Sequence, residues 1–196
     1  MSESAVARLL RHFPRLHDAR LGAGGRFVLG FIAIATVLFG LYFFPYAETG
    51  RSESWFSAYL AQYARIVGFT LGLFDRGISV ADNVIGGRFS MRIVKSCDGM
   101  EANILFCAAT LAFPGPWRRK LVAVPLGLTA LVAFNVLRLC CLYYIGIYFP
   151  AAFELAHFDV WPLLVVGFSV VDFLACARWL QRTNPTPSAS VGLASP

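Results

Sequence analysis

The sequence predicts an all-α polytopic membrane protein, with about four transmembrane helices, one further interfacial or additional helix and a small extracytoplasmic β-hairpin. Three observations lead there. Of 196 residues, 58% are hydrophobic, 15% aromatic and only 14% charged, with a mean hydropathy of +0.64. A soluble domain carries about 25% charged residues. The apolar residues also fall in long blocks, and the basic residues collect beside those blocks. Arg8, Arg11, Arg15, Arg20 and Arg26 precede the first block, Arg118, Arg119 and Lys120 lie between two later ones, and Arg178 and Arg182 follow the last. This composition excludes a water-soluble enzyme, a disordered chain and a small disulfide scaffold. The net charge of +6 reads as membrane topology, because cytoplasmic loops retain Lys and Arg. No basic stripe with stacking aromatics stands outside the apolar blocks, so no nucleic-acid partner is expected.

Residues 1–26 are polar and basic, and read as a cytoplasmic lead-in containing His12 and His17. The apolar block that follows is longer than a signal-peptide core. Residues 27–46 hold no charge; at 1.5 Å per residue, about 20 apolar residues cross the hydrocarbon core. Their aromatic end, Tyr42 to Tyr46, suits an interfacial belt. Residues 47–54 form a turn-rich loop. In residues 55–74, Gln62 and Arg65 interrupt the apolar run, which favours an amphipathic helix lying on the outer face, with a true span as the alternative. Residues 77–96 are rich in glycine and β-branched residues, and Val84 to Phe89 reads as two short strands around a Gly86-Gly87 turn.

Residues 98–114 are the second expected span, capped by Ser96 or Asp98 and ended by Pro114-Gly115-Pro116. Trp117 to Lys120 is a short basic turn. Residues 121–149 form the longest block, broken only by Asn135 and Arg138. It exceeds the ~20 residues needed, so it tilts or protrudes. Residues 151–158 connect to the last span, 159–180, and the Pro/Ser-rich tail 181–196 reads as disordered and cytoplasmic. The membrane-embedded unit is therefore 27–180. The charge bias places both termini in the cytoplasm and residues 47–97 and 150–158 outside.

That topology brings three reactive residue types to one outer face. Cys97 is the one cysteine of five that sits at a block edge among polar residues. A thiol at a helix start meets unpaired N–H groups and the positive end of the helix dipole, which favour the nucleophilic thiolate. Gly99 allows close approach of a substrate backbone. The competing reading is an inert cysteine at a helix end. Arg138 lies within an apolar helix, where a charge costs roughly 2.5–3.5 kcal/mol on insertion scales. Asn135, one turn earlier, shares its face. Arg138 either stabilises a thiolate or a developing oxyanion, or pairs structurally with Glu101, Asp159 or Asp172. His157, the only histidine beyond the lead-in, is a general base toward a thiol and a general acid toward a leaving amine, or an interfacial histidine without chemistry. Glu101, one turn after Cys97, either bonds Arg138 or caps the helix. The sequence holds no metal-ligating cluster and no cofactor motif.

Ser96-Cys97-Asp98-Gly99-Met100-Glu101, then Asn135-Val136-Leu137-Arg138, then Ala156-His157 together resemble the exosortase/archaeosortase family, and the chain's compactness and Cys-Asp-Gly form look most like its exosortase H type. The stretch from Leu111 to Lys120 also resembles the family's inter-helix turn. The resemblance covers about residues 30–180. It implies a membrane-embedded cysteine peptidase or transpeptidase of the bacterial inner membrane. The implied partner is a membrane-anchored protein with a C-terminal sorting signal, made of a short motif, a hydrophobic span and a basic cluster. By position it implies Cys97 as nucleophile, Arg138 as transition-state stabiliser and His157 as acid/base, with no cofactor and with the acceptor unassigned. Larger family members have more spans. The residues themselves leave two other functions open: a non-catalytic membrane partner in an envelope or exopolysaccharide-linked assembly, and a transferase acting on a lipid- or polyprenyl-linked group. The latter is disfavoured by the scatter of Asp98, Glu101 and Asp159.

Overall fold

A computed structural model of the protein describes residues 22–43 and 51–182. Helix α1 spans Ala23–Phe43 and α2 spans Arg51–Gly72. Three short strands follow, β1 (Ser79–Ala81), β2 (Val84–Gly86) and β3 (Met91–Arg92). A 3-10 turn, Lys95–Cys97, leads into α3 (Met100–Ala112), and α4 runs from Trp117 to Tyr148. A connection of 3-10, α and π turns, Pro150–Ala152, Phe153–Leu155 and Ala156–Val160, passes without a break into α5, Trp161–Gln181.

Among the described residues three helices are long and apolar enough to cross a membrane: Gly24–Phe43, Trp117–Tyr148, and the last connection together with α5, Pro150–Gln181. Helix α3 has 13 residues. At 1.5 Å per residue it is about 20 Å long, short of the ~30 Å hydrocarbon core. The expected count of four spans is therefore met by length in only three helices. Helix α3 is shorter because the chain turns through Lys95–Cys97 at one end and stops at Pro114 at the other. Residues 1–21, 44–50 and 183–196 lie outside the described residues; of the expected lead-in 1–26, loop 47–54 and tail 181–196, residues 23–26 belong to α1, 51–54 to α2 and 181 to α5.

Several boundaries shift for physical reasons. Trp117, Arg118, Arg119 and Lys120 form the first turn of α4 rather than a loop, behind Pro116 in extended conformation (φ −67°, ψ 133°). Proline suits such a start because it has no N–H to leave unpaired. The basic side chains then tie helix ends together. Lys120 Nζ donates to the Leu111 carbonyl at 2.6 Å, near the end of α3, and Arg119 donates to the carbonyls of Trp179, Leu180 and Arg182 at the end of α5. Helix C-termini leave carbonyls unpaired and carry the negative end of the dipole, so cations settle there.

The strand region is a three-stranded antiparallel sheet in the order β1-β2-β3, with Val80 opposite Ile85 and Ile85 opposite Met91. The chain reverses twice. β1 and β2 are joined by a tight turn at Asp82-Asn83, where Asp82 adopts the left-handed conformation (φ 52°), one that a short polar side chain tolerates. The reversal expected at Gly86-Gly87 lies between β2 and β3, but Gly86 ends β2 and residues 87–90 form the connection, so Arg88 and Phe89 are not a strand. Gly87 is small for another reason: the Tyr143 hydroxyl fills the space where its Cβ would go. That hydroxyl also accepts a hydrogen bond from the Arg88 N–H at 3.0 Å. The sheet is thereby anchored to the far end of α4.

Two packed regions result. Helix α2 buries Leu60, Tyr63, Ala64, Val67 and Leu71, a helical stripe, against Ile85, Ile93, Leu139, Leu142 and Tyr143. This stripe explains how a helix interrupted by Gln62 and Arg65 still docks firmly. The second region packs Phe106 of α3 against Ala123 and Leu131 of α4 and Cys176 of α5. Gly127 permits that crossing: a Cβ there would run into the buried Phe106 ring and lie 2.8 Å from the Asp172 carboxylate. Replacing Gly127 with Val is expected to cost about 1–3 kcal/mol by overpacking. The readout is a lower thermal unfolding midpoint of the detergent-solubilised protein.

Candidate active site

Cys97 ends the 3-10 turn and is 5% exposed. Its position is set from several sides. Asn135 Nδ2 of α4 donates to the Cys97 carbonyl at 3.0 Å and to the Tyr63 hydroxyl at 2.9 Å. This joins α2, the cysteine turn and α4 at one amide. Asp98 Oδ1 accepts the Met100 N–H at 2.9 Å, while the N-cap position itself is Gly99, without a side-chain cap, rather than Ser96 or Asp98. Gly99 is left-handed (φ 70°), and a Cβ on it would sit 3.0 Å from the Asn135 side chain. Its glycine therefore serves the turn and the close approach of Asn135.

Tyr42, at the end of α1, closes the other side. Its hydroxyl donates to the Lys95 carbonyl at 3.2 Å and to Asp98 Oδ2 at 3.2 Å. Lys95 returns a bond from Nζ to the Tyr42 carbonyl at 3.1 Å and lies over the rings of Tyr42, Phe43 and Phe56 at 4.3, 5.2 and 4.9 Å. A cation over an aromatic face is attracted by the ring quadrupole. Burial pushes the Asp98 carboxyl above its ordinary range, and the bonds from Met100 and Tyr42 oppose that rise.

His157 arrives from the π turn ahead of α5. Its Nε2 lies 3.8 Å from the Cys97 Sγ, across 60 residues of sequence. Its Nδ1 is buried with no hydrogen-bond partner among the described residues. The ring is held by packing instead: it stacks on Phe153 (centroids 5.7 Å apart, planes 9° apart) and meets Phe158 edge-on at 4.7 Å. The π turn carries one extra residue per turn relative to an α-helix, and such bulges re-aim side chains.

Arg138 is 5% exposed and its Nε has no hydrogen-bond partner among the described residues. None of the three carboxylates offered as structural partners reaches it. Glu101 and Asp159 are exposed, and Asp172 lies deeper in α5 against Gly127. The Cys97 thiol and the Tyr63 hydroxyl are its electrostatic neighbours. Arg138 and His157 line one cavity of about 310 Å³, together with Asp98, Gly99, Met100 and Glu101 from the start of α3. Cys97 is not part of its lining but adjoins it through its neighbour Asp98 and through His157, whose Nε2 is 3.8 Å from the thiol.

The structure thus brings Cys97, Arg138, His157, Gly99 and Asn135 together. Glu101 joins them only as part of the cavity wall and bonds none of them. Tyr63, Tyr42 and Lys95 were not singled out by sequence. Tyr63 looked like one aromatic among several in an amphipathic block, and nothing in its spacing marked it.

The family model of the transmembrane exosortases matches residues 19–177. The chain belongs to the transmembrane exosortase family. No curated protein matches it, and no solved structure does. The match spans every residue of the site, from Tyr42 to His157, so the exosortase region and the cavity coincide.

The amide of Asn135 makes two bonds that no neighbour replaces. Asn135→Ala is expected to destabilise the protein by about 1–3 kcal/mol, because the buried Cys97 carbonyl loses its donor. Tyr63→Phe removes one bond of the pair and should cost only about 0.5–1.5 kcal/mol. Thermal unfolding of both variants in one detergent checks the ranking; the reverse order would contradict it.

Proposed function

We propose that this exosortase-family protein is a membrane-embedded cysteine peptidase or transpeptidase. Its substrate is a membrane-anchored protein with a C-terminal sorting signal, handled at the outer face of the bacterial inner membrane. The observation that carries the reading is the 3.8 Å approach of Cys97 Sγ and His157 Nε2, beside an arginine that no carboxylate neutralises. A thiol with an imidazole within reach is the minimal nucleophile–base pair.

The chemistry follows from these roles. His157 Nε2 takes the thiol proton as Cys97 Sγ attacks the scissile carbonyl carbon. The negative charge that develops on the carbonyl oxygen is stabilised by the Arg138 guanidinium, in a site with few competing dipoles. The C–N bond then breaks, and His157 returns its proton to the leaving amine. A thioester on Cys97 remains. Water or an acceptor amine attacks that thioester, with His157 again taking the proton, and the thiol is regenerated. Hydrolysis and transfer differ only in this second nucleophile.

The outward orientation is supported by charge. The cluster Arg118-Arg119-Lys120 starts α4, while Arg138 lies 18 to 20 residues further along the same helix, about 27–30 Å away at 1.5 Å per residue. If the basic end is cytoplasmic, the cysteine end faces outward.

The test is processing in cells of a reporter ending in a short motif, a hydrophobic span and a basic cluster. Cys97→Ala should abolish cutting. His157→Ala should lower it by about 10²–10⁴-fold, and Arg138→Ala by about 10²–10³-fold, at equal membrane levels. Normal cutting by Cys97→Ala would remove the thiol from the mechanism and the peptidase reading with it.

A further inference from the structure

The cavity beside Cys97 has two ends of different character. Toward the cysteine it is bounded by Lys95, Asp98, Glu101, Arg138 and His157. Away from it, the same cavity continues between α3 and α5, over Leu105, Pro162, Val165, Val166 and Ser169. Leu105 and Val166 are 38% and 53% exposed on its edge, while Val165 and Ser169 form its floor at 8% each. The hydroxyl of Ser169 is already satisfied by the Val166 carbonyl at 2.8 Å, so the lower part presents no free polar group to a ligand in lipid.

We infer that this groove between α3 and α5 is the docking surface for the substrate's own transmembrane segment, which enters sideways from the bilayer. The inference rests on the peptidase reading and adds where the substrate binds. A chain leaving the membrane carries an apolar stretch followed directly by a polar one. The cavity repeats that order in one continuous space, with the apolar part along α5 and the charged part at Arg138 and His157. Val166 and His157 are nine residues apart on the continuous helical run Ala156–Gln181, a rise of about 13 Å at 1.5 Å per residue. A segment seated over Val166 therefore has its first residues outside the apolar groove beside the thiol. In bilayers, helix association depends on shape and close packing, since lipid is as apolar as the helix. A groove with a small floor residue such as Ser169 provides that fit.

A second cavity offers the competing location. It measures about 500 Å³, lies on another face of α3, and is walled by Leu38 of α1, Tyr59 and Ile66 of α2, and Leu128 and Val132 of α4. It is almost wholly apolar and shares only Met100 with the first, and neither Arg138 nor His157 reaches it. Tyr63 also lines it and connects through Asn135 to the Cys97 carbonyl, but that route ends at the backbone of the cysteine turn, whereas the first cavity opens onto Arg138 and His157 themselves.

The experiment places a photo-activatable phenylalanine analogue at Leu105, Val166, Leu128 or Val132 of the full-length Cys97→Ala protein in membranes. The probe is the reporter with its apolar span and basic cluster. Adducts with the reporter from Leu105 and Val166, absent from Leu128 and Val132, are the expected result. Adducts from Leu128 or Val132 instead, adducts with lipid alone, or no reporter adduct at any of the four positions would overturn the assignment. Because this arm uses the Cys97→Ala protein, it reads docking independently of cutting. Failure of the peptidase reading shows separately, as reporter cleavage that does not depend on Cys97. In the otherwise wild-type protein, Val166→Trp narrows the exposed edge of the groove without entering the core. It should lower cutting by about tenfold or more, whereas Leu128→Trp should leave it within about twofold.

Discussion

One side-chain amide holds the site together. Asn135 of α4 donates to the carbonyl of Cys97 and to the hydroxyl of Tyr63 on α2. A lone asparagine inside an apolar helix is costly unless its donors are used. Here both bonds are spent on fixing the turn that carries the cysteine. Gly99 must be left-handed and lack a side chain for the amide to come so close. Tyr42 and Lys95 grip the same turn from α1. The cysteine is thus held by three helices that lie far apart in sequence, and its thiol is left to face His157.

The basic residues of the chain meet two different fates. Lys120 and Arg119 discharge their donors onto the open carbonyls at the ends of α3 and α5, which turns a basic cluster into a structural staple for one end of the bundle. Arg138 has no such outlet. Among the described residues its Nε is unpartnered. A buried cation is expensive to keep unpaired. The Cys97 thiol and the Tyr63 hydroxyl are the groups that lie beside it.

The imidazole shows a related economy. In many nucleophile–base pairs a third polar group orients the base. Here the stacked ring of Phe153 and the edge of Phe158 hold His157, and its Nδ1 is unpaired. The π turn from Ala156 to Val160 supplies the aim that an ordinary helix would miss by the extra residue. Position is thus controlled by packing and backbone geometry, which suits a site surrounded by apolar helices.

Composition and block length alone established a helical membrane protein, because apolar stretches of about 20 residues have few other stable fates. The oddity of one cysteine among polar residues, one arginine and one asparagine in an apolar block, and one histidine beyond the lead-in was also legible, since each violates the local pattern. What the sequence alone did not yield was whatever depends on partners distant along the chain. The shortness of α3 follows from the turn at Lys95–Cys97, which local hydropathy does not register. The reversal at Gly86-Gly87 widened to residues 87–90 and a further turn formed at Asp82-Asn83, and Gly87 answers to Tyr143, over fifty residues away. Tyr63 and Tyr42 acquired their roles only when α2 and α1 packed beside the cysteine turn. Only tertiary structure decided that Glu101 leaves Arg138 alone. A carboxylate one helical turn along from the cysteine faces wherever α3 is rotated, and packing of Phe106 against Gly127 sets that rotation.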